Sequence, residues 1–216
     1  MTPQIILATV VLNLLAVFSA FGKTVPPVTF DSACLAHGQH GVDRWTPKID
    51  PSPVPWNKSK IQPITPSGIY RWRGPGPNVP LTPTTETRIP SEQKWYALTG
   101  RVVDLRVEAD GDIHIALKDA TGNKAGTVGA EVPLGTRWCK FRKTLFMWTT
   151  RNFPFTFTSN RVLTILKSHR NHIITVIGKA FYDVDHAPAN HSNRRTNQKG
   201  YAAWEIHPVR ALVIVR

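Results

Sequence analysis

Histidine and carboxylate side chains recur in four short segments of the C-terminal half of the chain. These segments are DGDIHIALKD (110–119), GAEVP (129–133), GKAFYDVDH (178–186) and AWEIHPV (203–209). Imidazole and carboxylate groups bind divalent cations, and a water on such a cation can attack a phosphodiester. The segments therefore predict a candidate metal or acid–base site built from six residues: His114, Glu131, Asp183, His186, Glu205 and His207.

The alternation of apolar and polar residues indicates that these segments are β-strands. Because residues two apart share a face of a strand, His114 lies opposite the neighbouring isoleucines, and Glu205 shares a face with His207. A structural role would explain the same residues, since Glu and His can hydrogen-bond across a sheet and Asp183 with His186 can cap a turn. The spacing is not a compact metal motif such as H-E-x-x-H, so both interpretations stay open.

The elements that position these residues follow the order of a five-stranded OB barrel. Strands are predicted over residues 95–108, 112–117, 126–132, 172–182 and 201–215, and helices over 138–150 and 160–169. Asp110-Gly111-Asp112 predicts a hairpin turn, with calcium binding as the alternative, and residues 185–200 predict a mobile polar loop. A helical insert between the third and fourth strands matches the OB barrel, whereas a β-sandwich needs about seven strands. Residues 95–216 are therefore predicted to form a mainly β, OB-like barrel.

The four segments also carry a family resemblance. Read as D-G-D-x-H, A-E-x-P, V-x-G-x-x-F-x-D-x-x-H and E-x-H-P-V, they resemble a family of uncharacterised, mostly bacterial, exported proteins with an OB-fold-like domain. The resemblance covers about residues 95–214 and implies the fold and the importance of these positions. It implies no reaction, because no activity is established for that family.

The N-terminal part of the chain differs in composition. Residues 1–22 carry no charged side chain and predict a signal peptide, with an N-terminal anchor as the alternative. Residues 23–94 contain 13 of the 18 prolines and predict an extended arm. The arm holds four large aromatic residues, which predict docking on the barrel or a platform for carbohydrate or peptide: Trp45, Trp56, Tyr70 and Trp72.

The chain has two cysteines, Cys34 and Cys139. In an exported protein an even count permits a disulfide, which would tie the arm to the barrel, and two free thiols are the alternative. The predicted location is periplasmic or extracellular, with no membrane contact beyond the N-terminal segment. The oligomeric state is left open by the sequence.

The positive charge is concentrated in the C-terminal part of the chain. The net charge is +13, and residues 132–216 carry 14 Lys/Arg but only three Asp/Glu. A basic surface with aromatic residues can bind a polyanion such as nucleic acid or an acidic glycan, and such binding weakens steeply with salt. The candidate binding residues lie within the predicted helix or next to its ends: Arg137, Trp138, Lys140, Arg142, Lys143 and Arg151. The alternative is that the tryptophan packs the helix and the cations only coat the surface.

Three functions are consistent with these features. The first is an exported OB-like module that binds a polyanion or a glycan. The second is a metal-dependent hydrolase or nuclease that uses the His/Glu/Asp residues with a divalent cation. The arginine-bearing signatures of thermonucleases, which share the OB fold, are missing here, so no catalytic residue is transferred from them. The third is an inert structural or envelope-interaction domain.

Overall fold

The computed structural model describes residues 28–37, 43–108, 110–149, 152–157, 164–165 and 171–215. In chain order, the strands of this part are β1 (Val28–Ser32), β2 (Leu35–His37), β3 (Ile61–Ile64), β4 (Trp95–Val107), β5 (Ile113–Lys118), β6 (Val128–Val132), β7 (Phe155–Phe157), β8 (Thr164–Ile165), β9 (Ile173–Tyr182) and β10 (Trp204–Ile214). The α-helices of the same residues are α1 (Trp45–Lys48), α2 (Pro66–Tyr70) and α3 (Cys139–Phe146). Short 3-10 helices cover Lys58–Lys60, Pro90–Gln93 and Thr136–Trp138. The predicted mainly β fold is confirmed.

Five of the strands close into a barrel. Antiparallel pairing joins β4 to β5, β5 to β6, β9 to β10 and β4 to β9, and a parallel pairing of β6 with β10 closes the ring. The long strand β4 makes closure possible, because its first half pairs with β9 and its second half with β5. Helix α3 lies between β6 and β9 in the chain. This connectivity confirms the predicted OB-like barrel.

Alternation along the strands places the apolar core on one face of the barrel wall. Ile115 pairs with Ala130 and Ala130 with Ile206, and all three side chains are fully buried in the main hydrophobic cluster. Their immediate neighbours His114 and Glu131 must point the other way, since strand residues alternate in direction. The barrel wall therefore presents a polar face opposite its core.

The proline-rich arm packs against the barrel, as one of its two interpretations predicts. Strand β3 runs parallel to the start of β4, and Pro63 fits there because an edge strand tolerates a missing amide donor. Trp72 packs with its ring centroid 4.8 Å from that of Tyr96 on β4. Trp56 behaves differently, since 97% of it is exposed. The arm is thus docked without burying all of its aromatic residues.

A disulfide joins Cys34 to Cys139, which confirms the predicted pairing across 105 residues. It links the turn between β1 and β2 to the first residue of α3, beside a small antiparallel sheet ordered β2-β1-β7. A disulfide is compatible with an oxidising, exported location. Within the described residues, no helix has the length and apolar character needed to cross a membrane. The predicted export segment, residues 1–22, lies outside the described residues.

The predicted helices are only partly present. Helix α3 covers Cys139–Phe146, the centre of the segment predicted over 138–150. Within the segment predicted as a helix over 160–169, the described residues 164–165 are strand β8, which pairs with the end of β4. That part of the prediction is wrong, because pairing with a barrel strand overrides the local helical spacing. The remaining residues of the segment lie outside the described part of the chain.

Candidate metal centre

Three of the six predicted site residues meet on the polar face of the barrel wall. His114 on β5 is paired with Glu131 on β6. The parallel register of β10, in which Ile206 pairs with Ala130, then brings His207 beside Glu131. The three side chains are buried. The face predicted for His114 from strand alternation is therefore correct, and Glu131 and His207 lie on the same face.

Glu131 is the point where two groups of ligand atoms meet. On one side, His114 Nδ1 lies 2.8 Å from Glu131 Oε1 and 3.5 Å from Glu108 Oε1. On the other side, His207 Nδ1 lies 3.4 Å from Glu131 Oε2, and its Nε2 lies 3.2 Å from Asp112 Oδ2. Within each trio the ligand atoms lie within 4.8 Å of one another. Either group has the size and composition to hold a metal ion.

The predicted residue Glu205 borders these groups without belonging to either. Its Oε1 lies 3.3 Å from His207 Nδ1, and its Oε2 lies 2.7 Å from a guanidinium nitrogen of Arg195. The same nitrogen of Arg195 lies 2.8 Å from Asp183 Oδ2, and His186 Nδ1 lies 2.7 Å from that carboxylate oxygen. Asp183 and His186 are therefore connected to the two groups through Arg195, and neither residue contributes a ligand atom to either group. The two groups and the charged side chains in contact with them are called the cluster below.

Two buried side chains anchor the loop that carries Arg195. Arg195 is buried between Asp183 and Glu205, and Asn193 is buried with its side-chain oxygen accepting from the backbone amides of Ala203 and Trp204. The prediction of a mobile, solvated loop over 185–200 is wrong at these two positions. Their buried hydrogen bonds anchor the loop to the start of β10.

Three members of the cluster were missed by the sequence analysis: Lys48, Glu108 and Arg195. Lys48 Nζ, on α1 of the arm, lies 3.2 Å from Asp110 Oδ2. Glu108 follows β4, and its amide donates to the carbonyl of Asp112, so the turn folds its carboxylate towards His114. Asp110 and Asp112 shape this turn as predicted, since Asp110 accepts from the Asp112 amide. Of these three residues, only Glu108 could have been identified from the local sequence, because it lies next to the predicted turn.

Burial and like charge shift the proton equilibria of the two glutamates in the first group. Burial, and next the charge of Glu205, raise the pKa of Glu131 to about 8. Burial, and next the charge of Glu131, raise the pKa of Glu108 to about 8. Burial lowers the pKa of His114 to about 4. At neutral pH, His114 is therefore a neutral imidazole between two protonated carboxyl groups.

The second histidine is held in the opposite state. Burial alone would lower the pKa of His207, but hydrogen bonding to Asp112 and Glu205 and the charge of Glu131 raise it to about 10. A hydrogen bond to Asp183 raises the pKa of His186 to about 9. Both rings are imidazolium cations at neutral pH. His207 therefore acts as a positive charge in the cluster, and a metal ion bound there would have to displace its proton.

The cluster carries more carboxylates than its positive groups can neutralise. Its six carboxyl groups are those of Glu108, Asp110, Asp112, Glu131, Asp183 and Glu205. The positive groups in direct contact with them are two permanent cations and two imidazoliums: Lys48, Arg195, His186 and His207. Full ionisation would leave an excess of two negative charges, which protons on Glu108 and Glu131 remove. A divalent cation carries the same charge as those two protons.

Gly129 on β6 has no side chain, and the cluster fills the space that a side chain there would take. A Cβ atom there would lie 2.8 Å from His114 Cε1 and 3.0 Å from Glu205 Oε2. We expect Gly129→Ala to lower the free energy of unfolding by about 1–3 kcal/mol, because the added methyl group overpacks a buried site. Chemical denaturation measures this change. Gly122→Ala is the control, because Gly122 has a positive φ but open space around it. The stability lost in this variant reports backbone strain alone and should be smaller.

The predicted polyanion-binding residues divide into exposed and buried members. Arg137, Lys140 and Lys143 are exposed, and Arg151 lies outside the described residues. Arg142 is fully buried and donates to the carbonyls of Ala33 and Val132, so it cannot reach an external ligand. Trp138 is also buried, which agrees with the alternative that it packs the barrel. Strands β5 and β6, whose surface binds ligands in many OB folds, are covered, with only Lys118 exposed.

Comparison of the chain with protein-family models, with curated proteins and with solved structures found no match. The resemblance to exported OB-like proteins therefore stays a prediction. Function rests on what the geometry of the cluster and of the surface can do.

Proposed function

We propose that this protein binds one divalent cation at Glu108, His114 and Glu131, and that the cation stabilises the folded barrel. The proposal depends on the close grouping of the ligand atoms of these three residues. Within the described residues, no Lys or Arg side chain forms an ion pair with either glutamate. Buried carboxylates are ordinarily paired with a cation or bound to a metal. Among the residues that the structure describes, both glutamates lack a permanent cation as partner.

Proton equilibria favour this group over the one that contains His207. A histidine must be neutral to bind a metal ion, and His114 is neutral whereas His207 holds its proton. Glu108 also keeps 19% of its side chain exposed, which provides a route for an ion from solvent. Asp112 and His207 then act as a neighbouring ion pair that helps hold Glu131 in place.

The ligand chemistry points to a transition metal. One imidazole and two carboxylates suit Zn²⁺ or Mn²⁺, whereas Ca²⁺ and Mg²⁺ prefer ligand sets made only of oxygen. A catalytic cation would also need a coordination position open to substrate. His114 has no exposed side-chain surface and Glu131 has 5%, so the burial supports a stabilising role better than hydrolysis of a phosphodiester.

Titration of the chelator-treated full chain with Zn²⁺ and Mn²⁺ tests the proposal. At a cation concentration about 100 times the Kd, we expect the Tm to rise by roughly 5–10 °C. Glu131→Gln and Glu108→Gln should each abolish this rise, because each removes one anionic ligand. Glu86→Gln is the matched control, since Glu86 is exposed and accepts from the amides of Trp45 and Thr46, outside both ligand groups.

Two results would contradict the proposal. One is the absence of saturable binding of both metals by calorimetry at micromolar protein. The other is an unchanged Tm shift in both glutamine variants. Mg²⁺ and Ca²⁺ are included in the titration, and stronger binding of either would overturn the assignment to a transition metal.

Polyanion binding is a second candidate function, favoured by one observation. Arg137, Lys140 and Lys143 are exposed and form no ion pair within the described residues. Arg210 adds to this basic patch: its guanidinium lies 5.9 Å from the Trp138 ring, and burial with the nearby charge of Arg137 lowers its pKa. Exposed cations without ion-pair partners in the described part of the chain suit nucleic acid or an acidic glycan. Export of the chain to a compartment that holds either partner is part of this candidate function.

A further inference from the structure

A pocket of about 280 Å³ lies where the first residues of β4 and β10 meet the arm. Three aromatic side chains form its wall: Trp72, Tyr96 and Trp204. Three polar side chains line the rest: Arg73, Ser91 and Lys94. Ligand pockets typically combine an apolar surface with a few polar groups, and this volume is close to the lower end of their range, about 300 Å³. The pocket is therefore suited to one ring of a ligand.

The aromatic wall is rigid. The ring centroids of Trp72 and Tyr96 lie 4.8 Å apart, and those of Trp72 and Trp204 lie 5.9 Å apart. The indole nitrogen of Trp204 donates to the carbonyl of Arg73 at 2.8 Å, which joins the arm to β10. Tyr96 and Trp204 are buried, and Trp72 is half-buried. A ligand would meet a preformed surface, which reduces the entropy lost on binding.

The polar side of the pocket carries two positive charges. Arg73 and Lys94 are exposed, and within the described residues neither side chain forms an ion pair or a hydrogen bond. Ser91 is also exposed beside them. A guanidinium and an ammonium with free donors bind a carboxylate through charge-assisted hydrogen bonds. The pocket therefore combines an aromatic wall with two exposed cations.

We propose that this pocket binds an acidic sugar residue, with the sugar ring against Trp72 and its carboxylate between Arg73 and Lys94. The hydroxyl of Ser91 lies where it can bond to the sugar hydroxyls. A sandwiched nucleobase is less suited, because it needs parallel aromatic faces, and the Trp72 ring meets Tyr96 at 50° and Trp204 at 78°. The site shares no residue with the cation cluster or with the basic patch.

Titration of the full chain with D-glucuronate and tetragalacturonate, followed by tryptophan fluorescence, tests the proposal. D-glucose and uridine monophosphate are the comparison ligands. We expect saturable binding of the two acidic carbohydrates, and glucuronate at least about tenfold tighter than glucose. Arg73→Gln and Lys94→Gln should each weaken binding by about tenfold, and they should fold normally because both side chains are exposed.

Lys58→Gln is the matched control, since it removes an exposed cation outside both the pocket and the basic patch and should leave the affinity unchanged. Glucuronate binding should also survive Glu131→Gln, which distinguishes this site from the cation cluster. No saturable binding of either acidic carbohydrate would overturn the proposal. So would equal affinity for glucose, tighter binding of the nucleotide, or unchanged affinity in both glutamine variants of the pocket.

Discussion

Replacement of Arg44 by Met is expected to lower the free energy of unfolding by about 3–5 kcal/mol, because it leaves a buried carboxylate without its cation. The Arg44 guanidinium forms two parallel hydrogen bonds with Glu92, at 2.7 and 2.8 Å. Both side chains are almost completely buried, with 1% and 0% exposed. Bidentate geometry of this kind is the strongest form of ion pair in proteins.

Arg44 also joins three parts of the chain. Its other hydrogen bonds go to main-chain carbonyls, those of Thr85, Thr87 and Tyr182. Its guanidinium carbon lies 4.6 Å from the centre of the Phe181 ring on β9. Loss of the side chain therefore leaves acceptors in the arm and on the barrel unpaired at once. Methionine keeps most of the apolar volume, so the change reports charge and hydrogen bonding.

Urea denaturation of both the wild-type chain and the variant measures the difference. Arg71→Met is the control, because Arg71 is exposed and forms no ion pair within the described residues; its effect should stay within about 0.5 kcal/mol. Adding Glu92→Gln to Arg44→Met should recover part of the loss, since the unpaired charge is removed. A loss below about 1 kcal/mol for Arg44→Met would mean that the arm contributes little to the stability of the barrel.

Contacts made by the arm and the loop could not be predicted from the sequence, whereas the faces of the strands could. Side-chain direction along a strand depends on a period of two, so the common face of His114, Glu131 and His207 could be predicted before their distances were known. Lys48 and Arg195 could not be assigned in this way, because their positions depend on how an arm and a loop fold back over the barrel. Local sequence carries no signal for such long-range packing.

The same distinction holds for the fold. Strand order and the helical insert followed from local patterns and were confirmed by the closed barrel. The small sheet was not predicted, since β1 pairs with β7 more than 100 residues away in the sequence. The predicted helix over 160–169 failed at β8 for a related reason: a short segment with mixed propensity takes the structure that its neighbour offers.

The affinity for a divalent cation is expected to rise about ten- to a hundredfold per pH unit between roughly pH 5 and 8, because the cation must displace protons from Glu108 and Glu131. Without a cation, both glutamates have a pKa raised from 4.5 to about 8. One proton released per cation corresponds to tenfold per pH unit, and two correspond to a hundredfold. Calorimetry in two buffers of different ionisation enthalpy counts the protons released.

The stability of the cation-free protein should change in the opposite direction. A carboxyl group whose pKa is raised by folding stabilises the folded state below its unfolded pKa, and this contribution is lost as the pH rises towards the folded value. The stabilisation that Glu108 and Glu131 provide as protonated groups should therefore decline from about pH 4.5 to 8. His114 opposes this trend only below pH 6.5, since its own pKa is lowered to about 4.

The difference in Tm between cation-bound and cation-free protein should thus be small at pH 5 and largest near pH 8. The double variant Glu108→Gln/Glu131→Gln cannot exchange protons for a cation, so its Tm should show no cation dependence at any pH. Cation affinity that is independent of pH would show that the carboxyl groups are already ionised in the folded protein. A positive group outside the described residues would then have to balance the two excess negative charges of the cluster. The exchange of two protons for one divalent cation would no longer explain how so many carboxyl groups can be buried together.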